Sequence, residues 1–202
     1  MSILFTDNFN RDDGGLGGNY STVSGDGSLT IFGNQLGWPG GGINVDYNNT
    51  VSWPNNQYAQ LVMTTPSTTT DEGFGPAIRV NAGGDMYFAQ SNTHEIRLYK
   101  RVSGSFTQLG SDGPAVAAND VIYIQANGTS LLVKQNGTTV IGPVTDSGVS
   151  SGSAGIWLAT GDTNSRADDF EGGDISSAFQ PDEDLWLPPF YVPENPSRLI
   201  FS

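Results

Sequence analysis

Hydrophobic and polar residues alternate in short runs along most of the chain, and turn residues separate the runs. Successive side chains of a β-strand point to opposite faces, so this period of two is typical of strands in antiparallel sheets. No segment has a convincing helical period. The sequence therefore predicts an all-β sandwich of two antiparallel sheets. About a dozen strands are expected, at residues 3–9, 28–36, 57–65, 75–81, 85–90, 94–102, 106–109, 120–126, 130–135, 138–141, 154–159 and 167–171.

The segment from Asp120 to Ile141 gives the most specific local prediction. Asn127-Gly128 and Asn136-Gly137 each interrupt a run of alternating residues. Asn and Gly tolerate the positive φ angles that a type I′ turn requires. The two turns predict a meander of three antiparallel strands.

The strand from His94 to Val102 is expected to have two different faces. Ile96 and Leu98 fall on one side, and Arg97 and Tyr99 fall on the other. The first side should lie in the core, and the second should face water.

The glycine-rich segment from Gly33 to Asn56 shows little alternation. It contains Trp38-Pro and Trp53-Pro, which interrupt any regular pattern. We expect a long surface loop or a broken strand here.

The length and composition favour one domain with a terminal extension. The chain has 202 residues, with 27 Gly, 11 Pro and only 14% charged residues, which suits many tight turns between short strands. A sandwich of this length is commonly one domain. We assign residues 1–179 to the sandwich and 180–202 to an extended arm.

The arm is rich in both proline and apolar residues. Pro188, Pro189, Pro193 and Pro196 each remove a backbone donor, which disfavours a helix or a central strand. Its apolar content is too high for a disordered tail. We expect an extended segment that lies along another surface, either its own domain or a neighbouring subunit. We interpret it as an arm that anchors to a partner through Leu185, Trp186, Leu187, Phe190, Tyr191, Val192, Leu199, Ile200 and Phe201.

The charge balance restricts the partners of the protein. Its 8 basic and 21 acidic residues give a formal charge of −13, which disfavours nucleic acid and anionic membranes. The chain has no cysteine, so it has no disulfides and no thiolate metal site. With no signal-peptide pattern after Met1, we expect synthesis in a reducing cytoplasm without export by a leader.

The first and last segments of the predicted sandwich resemble those of a known protein family. The opening segment from Phe5 to Tyr20 (FTDNFNRDDGGLGGNY) and the closing segment from Ser165 to Glu171 (SRADDFE) look like the first and last strands of concanavalin A-like jelly rolls, of the laminin-G-like and glucanase type. Between them, further matching segments occur in the family's order, at Tyr58, Gly75 to Arg79, Tyr87 to Tyr99 and Gly128 to Gly137. The resemblance implies a jelly roll whose terminal strands pair, but this fold hosts lectins, hydrolases and structural modules alike.

The glucanases of this family place catalytic carboxylates on alternate residues of one strand, commonly as Glu-x-Asp-x-Glu. A retaining glycosidase needs two carboxyl groups about 5–5.5 Å apart. None of the five glutamates of this chain belongs to such a motif, and the adjacent Asp168 and Asp169 should point to opposite faces. We therefore expect no catalytic residues and no enzymatic activity.

Other catalytic and metal sites lack the necessary residues. His94 is the only histidine, and no nucleophile motif accompanies it. We expect His94 in a turn or on the surface, and no transition-metal site. Ca²⁺ is an open alternative if the terminal strands bring together their carboxylates, which belong to Asp7, Asp12, Asp13, Asp168 and Asp169.

A glycan site is a second open possibility. Trp38, Tyr47 and Trp53 lie among many Asn and Asp residues, and sugar recognition uses aromatic side chains beside hydrogen-bonding groups. The same Trp-Pro loop could equally close one end of the sandwich or contact another subunit.

These observations lead to two functional hypotheses. The first is a non-enzymatic structural protein of a phage-like virion, such as a capsid decoration protein or tail component, anchored to other virion subunits by its arm. It would be a homo-oligomer that is made in the host cytoplasm. The alternative is a lectin-like module that recognises surface glycans.

Overall fold

The computed structural model describes residues 1–37, 40, 42–159 and 161–176. Sixteen strands are found there, and no helix is. Among these residues no helix is long and apolar enough to cross a membrane. The strands are β1 Ser2–Asp7, β2 Gly14–Gly15, β3 Tyr20–Thr22, β4 Thr30–Phe32, β5 Gln35–Gly37, β6 Ile43–Asn48, β7 Gln57–Thr65, β8 Gly73–Val80, β9 Met86–Ser91, β10 Ile96–Val102, β11 Ser105–Gly113, β12 Asp120–Asn127, β13 Ser130–Gln135, β14 Thr138–Thr145, β15 Ser153–Ala159 and β16 Arg166–Asp174.

The strands form two antiparallel sheets. Sheet A has nine strands, in the order β14-β13-β12-β7-β16-β5-β4-β2, with β1 also paired to β16. Sheet B has seven strands, in the order β11-β10-β9-β8-β15-β6-β3. The all-β sandwich that the alternation predicts is therefore confirmed, and so is the pairing of the first and last strands.

The predicted meander is also confirmed. The strands β12, β13 and β14 pair in sequence order. Asn136 and Gly137 have φ angles of 51° and 81°, and Gly128 has a φ of 57°. At Asn136-Gly137 both residues have the positive φ that the predicted turn requires. The first turn differs from the prediction: Asn127 is the last residue of β12 and pairs with Ser130, so the turn residues are Gly128 and Thr129.

Two apolar clusters lie on opposite faces of sheet B. The larger fills the space between the sheets and includes Ile156 and Leu158. The smaller includes Trp157, the residue between them. Because side chains alternate along β15, this second cluster covers the outer face of sheet B.

Between Gly33 and Asn56 the sequence predicts a long surface loop or a broken strand, and of these two the surface loop is wrong for residues 43–48. These residues form β6, which lies between β15 and β3 in sheet B. Its polar side chains face inward: Asn44, Asp46 and Asn48 are all buried. The sequence pattern is misleading here. Buried polar residues that form hydrogen bonds inside the protein cannot be distinguished, from the sequence alone, from the exposed polar residues of a loop.

Candidate binding site on the outer face of sheet B

Strands β9, β10 and β15 place aromatic side chains on the outer face of sheet B. Trp157 of β15 and Phe88 of β9 belong to the outer cluster, and Tyr99 of β10 packs against it. The face that we expected to be exposed to water is therefore partly apolar. Ile96 and Leu98 of β10 lie in the core as predicted.

The three rings form a continuous stack. The ring centroids of Phe88 and Trp157 are 4.3 Å apart with an interplanar angle of 24°. Those of Phe88 and Tyr99 are 5.4 Å apart with an angle of 17°. Strand β8 runs between Phe88 and Trp157, and it has Ala77 opposite Phe88 and Gly75 opposite Trp157. These small residues leave the space in which the two larger rings meet.

A fourth aromatic ring extends the stack toward solvent. Phe106 of β11 is 42% exposed and meets Phe88 edge to face at 6.0 Å. The Arg101 guanidinium lies 5.5 Å from the Phe106 ring and forms an ion pair with Asp26. The Phe106 ring is therefore exposed but contacted by both Phe88 and Arg101. Such a ring is suited to contact a ligand.

The rings surround a concavity that we call the aromatic hollow. Its volume is about 220 Å³. Its wall is mainly apolar, and four of its residues carry a polar side-chain atom: Asp71, Gln90, Tyr99 and Trp157. The lining residues are Ile43, Asp71, Phe88, Gln90, Tyr99, Phe106, Trp157 and Ala159.

Two residues that line the aromatic hollow each carry a buried nitrogen atom that has no hydrogen-bond partner among the described residues. These atoms are Nε1 of Trp157 and Nε2 of Gln90, and both residues are only 4% exposed. An unsatisfied buried polar group costs about 1–3 kcal/mol. Because both nitrogen atoms are shielded from solvent, a ligand that accepts their hydrogen bonds would remove this cost after a small movement of the side chains that cover them.

Charged groups near the aromatic hollow are paired with one another. The Arg97 guanidinium forms ion pairs with Asp71, with Glu95 at 2.8 Å and with Asp112 at 3.4 Å. The hydrogen bond from Arg97 to Asp71 contributes most to raising the pKa of Arg97. Arg97 Nε makes no hydrogen bond to any residue that the structure describes, so its 3.4 Å contact with Asp112 is electrostatic.

Two larger concavities each contain a polar side chain that already has hydrogen-bond partners. One, of about 490 Å³, is lined in part by Arg79, whose guanidinium donates to the carbonyl oxygens of Asn55, Gly128 and Val149. Burial lowers the pKa of Arg79. The other, of about 540 Å³, is lined in part by Glu171, which accepts a hydrogen bond from Tyr58 Oη at 2.7 Å.

The aromatic residues that we predicted to bind glycans lie in different surroundings. Tyr47 packs against the outer cluster of sheet B. Trp53 packs against the core between the sheets, and its Nε1 donates to Asn48 Oδ1 at 3.3 Å. Trp38 lies outside the described residues. Glycan binding by these three residues stays a prediction.

The polar residues interleaved with Tyr47 support the fold. The carboxylate of Asp46 accepts hydrogen bonds from Thr22 Oγ1 at 2.6 Å and from the backbone N–H of Leu29 at 2.5 Å. Burial raises the pKa of Asp46, and these hydrogen bonds oppose that effect. Asp46 therefore fixes the loop before β4 rather than facing solvent.

The carboxylates of the terminal strands do not form a metal site among the described residues. Asp7 accepts a hydrogen bond from Arg11 Nη1 at 2.7 Å, and Asp13 accepts one from the backbone N–H of Gly33 at 2.7 Å. Burial is the main cause of the raised pKa of Asp168, with smaller contributions from Asp169 and Asp7. Across the described ranges, no group of three or more His, Cys, Asp or Glu side chains is arranged to hold a metal ion.

Of the other predicted positions, His94 lies on the surface and the C-terminal residues lie outside the described part of the chain. His94 is exposed, as predicted. All of the anchoring residues from Leu185 to Phe201 lie outside the described part of the chain, and so does the predicted domain boundary at residue 179. Anchoring by this segment stays a prediction.

The aromatic hollow was missed because its residues are dispersed in the sequence. Gln90, Tyr99 and Trp157 come from three different strands, and only the sheet topology makes them neighbours. A signal was nevertheless present in Gly155-Ile-Trp-Leu-Ala159, where apolar residues occupy both faces of one strand. Such a run indicates a strand that is covered on both sides.

Comparisons with known proteins identify the fold. No family model matches the sequence, and no curated protein matches it either. Among solved structures, the carbohydrate-binding module CBM66 from Bacillus subtilis is similar, with a TM-score of 0.60, 13% identity, and coverage of 75% of this chain and 91% of that one. The fold is a concanavalin A-like jelly roll.

Two other jelly rolls give the same result. A LamA variant from Z. galactanivorans, in complex with laminaritriose and laminaritetraose, has a TM-score of 0.51 and 14% identity, covering 85% of this chain and 96% of that one. The exoplasmic/lumenal domain of VIP36, in its Ca²⁺/Man-bound form, has a TM-score of 0.51 and 11% identity, covering 78% and 83% respectively. At these identities the similarity shows the fold alone.

Proposed function

We propose that this jelly roll is a non-catalytic carbohydrate-binding module and that the aromatic hollow is its binding site. The observation that carries the proposal is the pair of unpartnered donors, Trp157 Nε1 and Gln90 Nε2, within an aromatic wall. Sugars combine apolar C–H surfaces with acceptor oxygens. Aromatic side chains and a few placed polar groups complement both properties.

The comparisons support this proposal over a role in virion assembly. CBM66 is described as a carbohydrate-binding module, and the VIP36 domain is described in a Ca²⁺/Man-bound form. The virion role rests on residues 180–202, which lie outside the described part of the chain. It stays a prediction without support from the comparisons.

The carboxylates around the aromatic hollow favour binding over hydrolysis. Asp71 is the only carboxylate-bearing residue among the described residues that line it. Glycosidases of both stereochemical classes use a pair of carboxyl groups, about 5–5.5 Å apart in retaining enzymes and about 6.5–9.5 Å apart in inverting ones. Sugar bound here would therefore be released unchanged.

A glycan microarray with a matched pair of variants tests the proposal. Tyr99→Ala removes one ring of the stack, while Tyr123→Ala removes a stacked ring on the opposite side of the molecule, where Tyr123 and Tyr58 are 5.2 Å apart. We expect the wild type and Tyr123→Ala to bind the same glycans, and Tyr99→Ala to bind them more weakly. Equal loss in both variants, or no binding by the wild type, would overturn the proposal.

Activity is tested on the same glycans. Each glycan that binds is incubated with the full-length protein, and new reducing ends are measured. We expect no release above the rate in buffer. Release that requires the protein would show a hydrolase instead.

A further inference from the structure

The hydrogen-bonding groups of the aromatic hollow determine which donors and acceptors a ligand must carry. The Trp157 indole N–H can only donate, and an ionised Asp71 carboxylate can only accept. Gln90 carries an amide, which can do both. A matching ligand group must therefore combine an acceptor and a donor within a short distance.

The remainder of the lining is apolar except for the hydroxyl group of Tyr99. Ile43, Phe88, Tyr99, Phe106 and Ala159 present carbon atoms to the same space. The volume of about 220 Å³ is below the roughly 300–1,000 Å³ of pockets that enclose a drug-sized ligand. The aromatic hollow is thus sized for one part of a sugar chain, and that part must include an apolar group.

The surrounding charges disfavour an anionic sugar. Arg97 is shared among the carboxylates of Asp71, Glu95 and Asp112, and Arg101 is paired with Asp26. Carboxylates therefore outnumber guanidinium groups at this face, and the whole chain has a formal charge of −13. A neutral ligand avoids this repulsion.

We propose that the aromatic hollow selects 2-acetamido sugars, of the N-acetylhexosamine class. This inference rests on the proposed carbohydrate-binding function. The acetamido carbonyl oxygen accepts from Trp157 Nε1 and Gln90 Nε2, and the acetamido N–H donates to the Asp71 carboxylate. The methyl group packs against Phe88 and Tyr99. A 2-hydroxyl group, which has no methyl, leaves this apolar wall without a contact.

Two sugar pairs test the selection directly. N-acetylglucosamine is compared with glucose, and N-acetylgalactosamine with galactose, by calorimetric titration of the full-length protein. The members of each pair differ only in the substituent at C2. We expect at least one acetamido sugar to bind, and its hexose to bind at least tenfold more weakly.

Two variants test the assigned hydrogen bonds. Trp157→Phe keeps an aromatic ring but removes its N–H, and the matched control Tyr123→Phe removes a hydroxyl that already donates to Gln125 Oε1 at 2.9 Å. We expect Trp157→Phe to weaken binding of the acetamido sugar about tenfold, as for one lost hydrogen bond, and Tyr123→Phe to leave it unchanged. Gln90→Met, which is similar in length, should weaken it similarly. Thermal unfolding shows that each variant is folded.

The outcomes separate this inference from the proposed function. If the hexoses bind as tightly as the acetamido sugars, the inference is wrong and carbohydrate binding stands. The same conclusion follows if the array yields only glycans without an acetamido group. If Trp157→Phe and Tyr123→Phe weaken binding equally, the assigned hydrogen bond is wrong. If no sugar or glycan binds, both proposals are wrong.

Discussion

The rings of Phe88 and Trp157 stack at 4.3 Å across a strand that lies between them. This contact requires that β8 present almost no side chain at that point, and Gly75 and Ala77 satisfy the requirement. At these two positions the outer face of β8 carries almost no side chain. The rings from its neighbours β9 and β15 can therefore meet above it.

Gly75→Ala should lower the free energy of unfolding. A Cβ at this position would overlap the carbonyl oxygen of Ala89, which belongs to the adjacent backbone, so β8 and β9 would have to separate. We expect a loss of about 1–3 kcal/mol, measured by urea denaturation. Gly15→Ala is the control, because an added Cβ there has no neighbour within 4 Å. Equal stability of the two variants would show that the close approach of β8 and β9 is not required.

Phe106→Ala should reduce glycan affinity while changing stability little. Phe106 is 42% exposed, so its removal forfeits little buried surface but takes away the outermost ring of the aromatic hollow. We expect affinity to fall about tenfold or more, and the unfolding midpoint to stay within a few degrees. Leu4→Ala is the control, since Leu4 is 37% exposed on an edge strand of sheet A. An unchanged affinity in Phe106→Ala would place the ligand elsewhere.

Asp146 should contribute a pH-dependent part of the stability. Burial would raise the pKa of Asp146, but hydrogen bonds from Lys100 and Tyr87, each at 2.6 Å, outweigh it and hold the pKa below its usual range. Because the folded-state pKa is lowered, the stabilisation is complete above the ordinary value of about 3.9. It is lost as the pH falls through the lowered pKa.

Asp146→Asn tests this linkage. We expect the variant to be less stable than the wild type by about 1–3 kcal/mol at pH 7, and the difference to shrink below about pH 4. Urea denaturation at pH 7, 5 and 3 gives the three values. A difference that stays constant to pH 3 would contradict the assigned ion pair.

The C-terminal segment should decide the oligomeric state. Its nine apolar residues and four prolines between 185 and 201 predict an extended anchor to a partner. Light scattering at matched concentration should find a defined oligomer for the full-length chain and a folded monomer for a truncation that ends at Phe179. Two stable monomers would show that this segment does not assemble copies of the chain.

Local signals in the sequence predict most of the fold. Alternation locates β7 and β13 at their observed bounds, and two Asn-Gly turns define the meander that follows Asp120. The prediction fails at β6, where Asp46 is buried. Its partners Thr22 and Leu29 lie far away in sequence, and no local pattern shows that such a carboxylate will be satisfied.

The candidate site is harder to predict than the fold. Trp38 and Trp53 stand out in the sequence because they are close together and flanked by amides. Trp157 lies in an apolar strand that resembles any core strand. What distinguishes Trp157 is an indole nitrogen that has no hydrogen-bond partner in the described part of the chain. That property depends on how several strands are arranged rather than on the sequence of any one of them.

The most direct test of the account is the response of individual side-chain N–H signals to a bound glycan. The full-length protein is labelled with ¹⁵N and titrated with an oligosaccharide that binds on the microarray, and the indole signals are assigned with Trp157→Phe and Trp53→Phe. We predict that the indole signal of Trp157 and the side-chain amide signals of Gln90 shift together, while the signal of Trp53 does not. A shift of Trp53 alone, or no shift of Trp157, would contradict binding in the aromatic hollow.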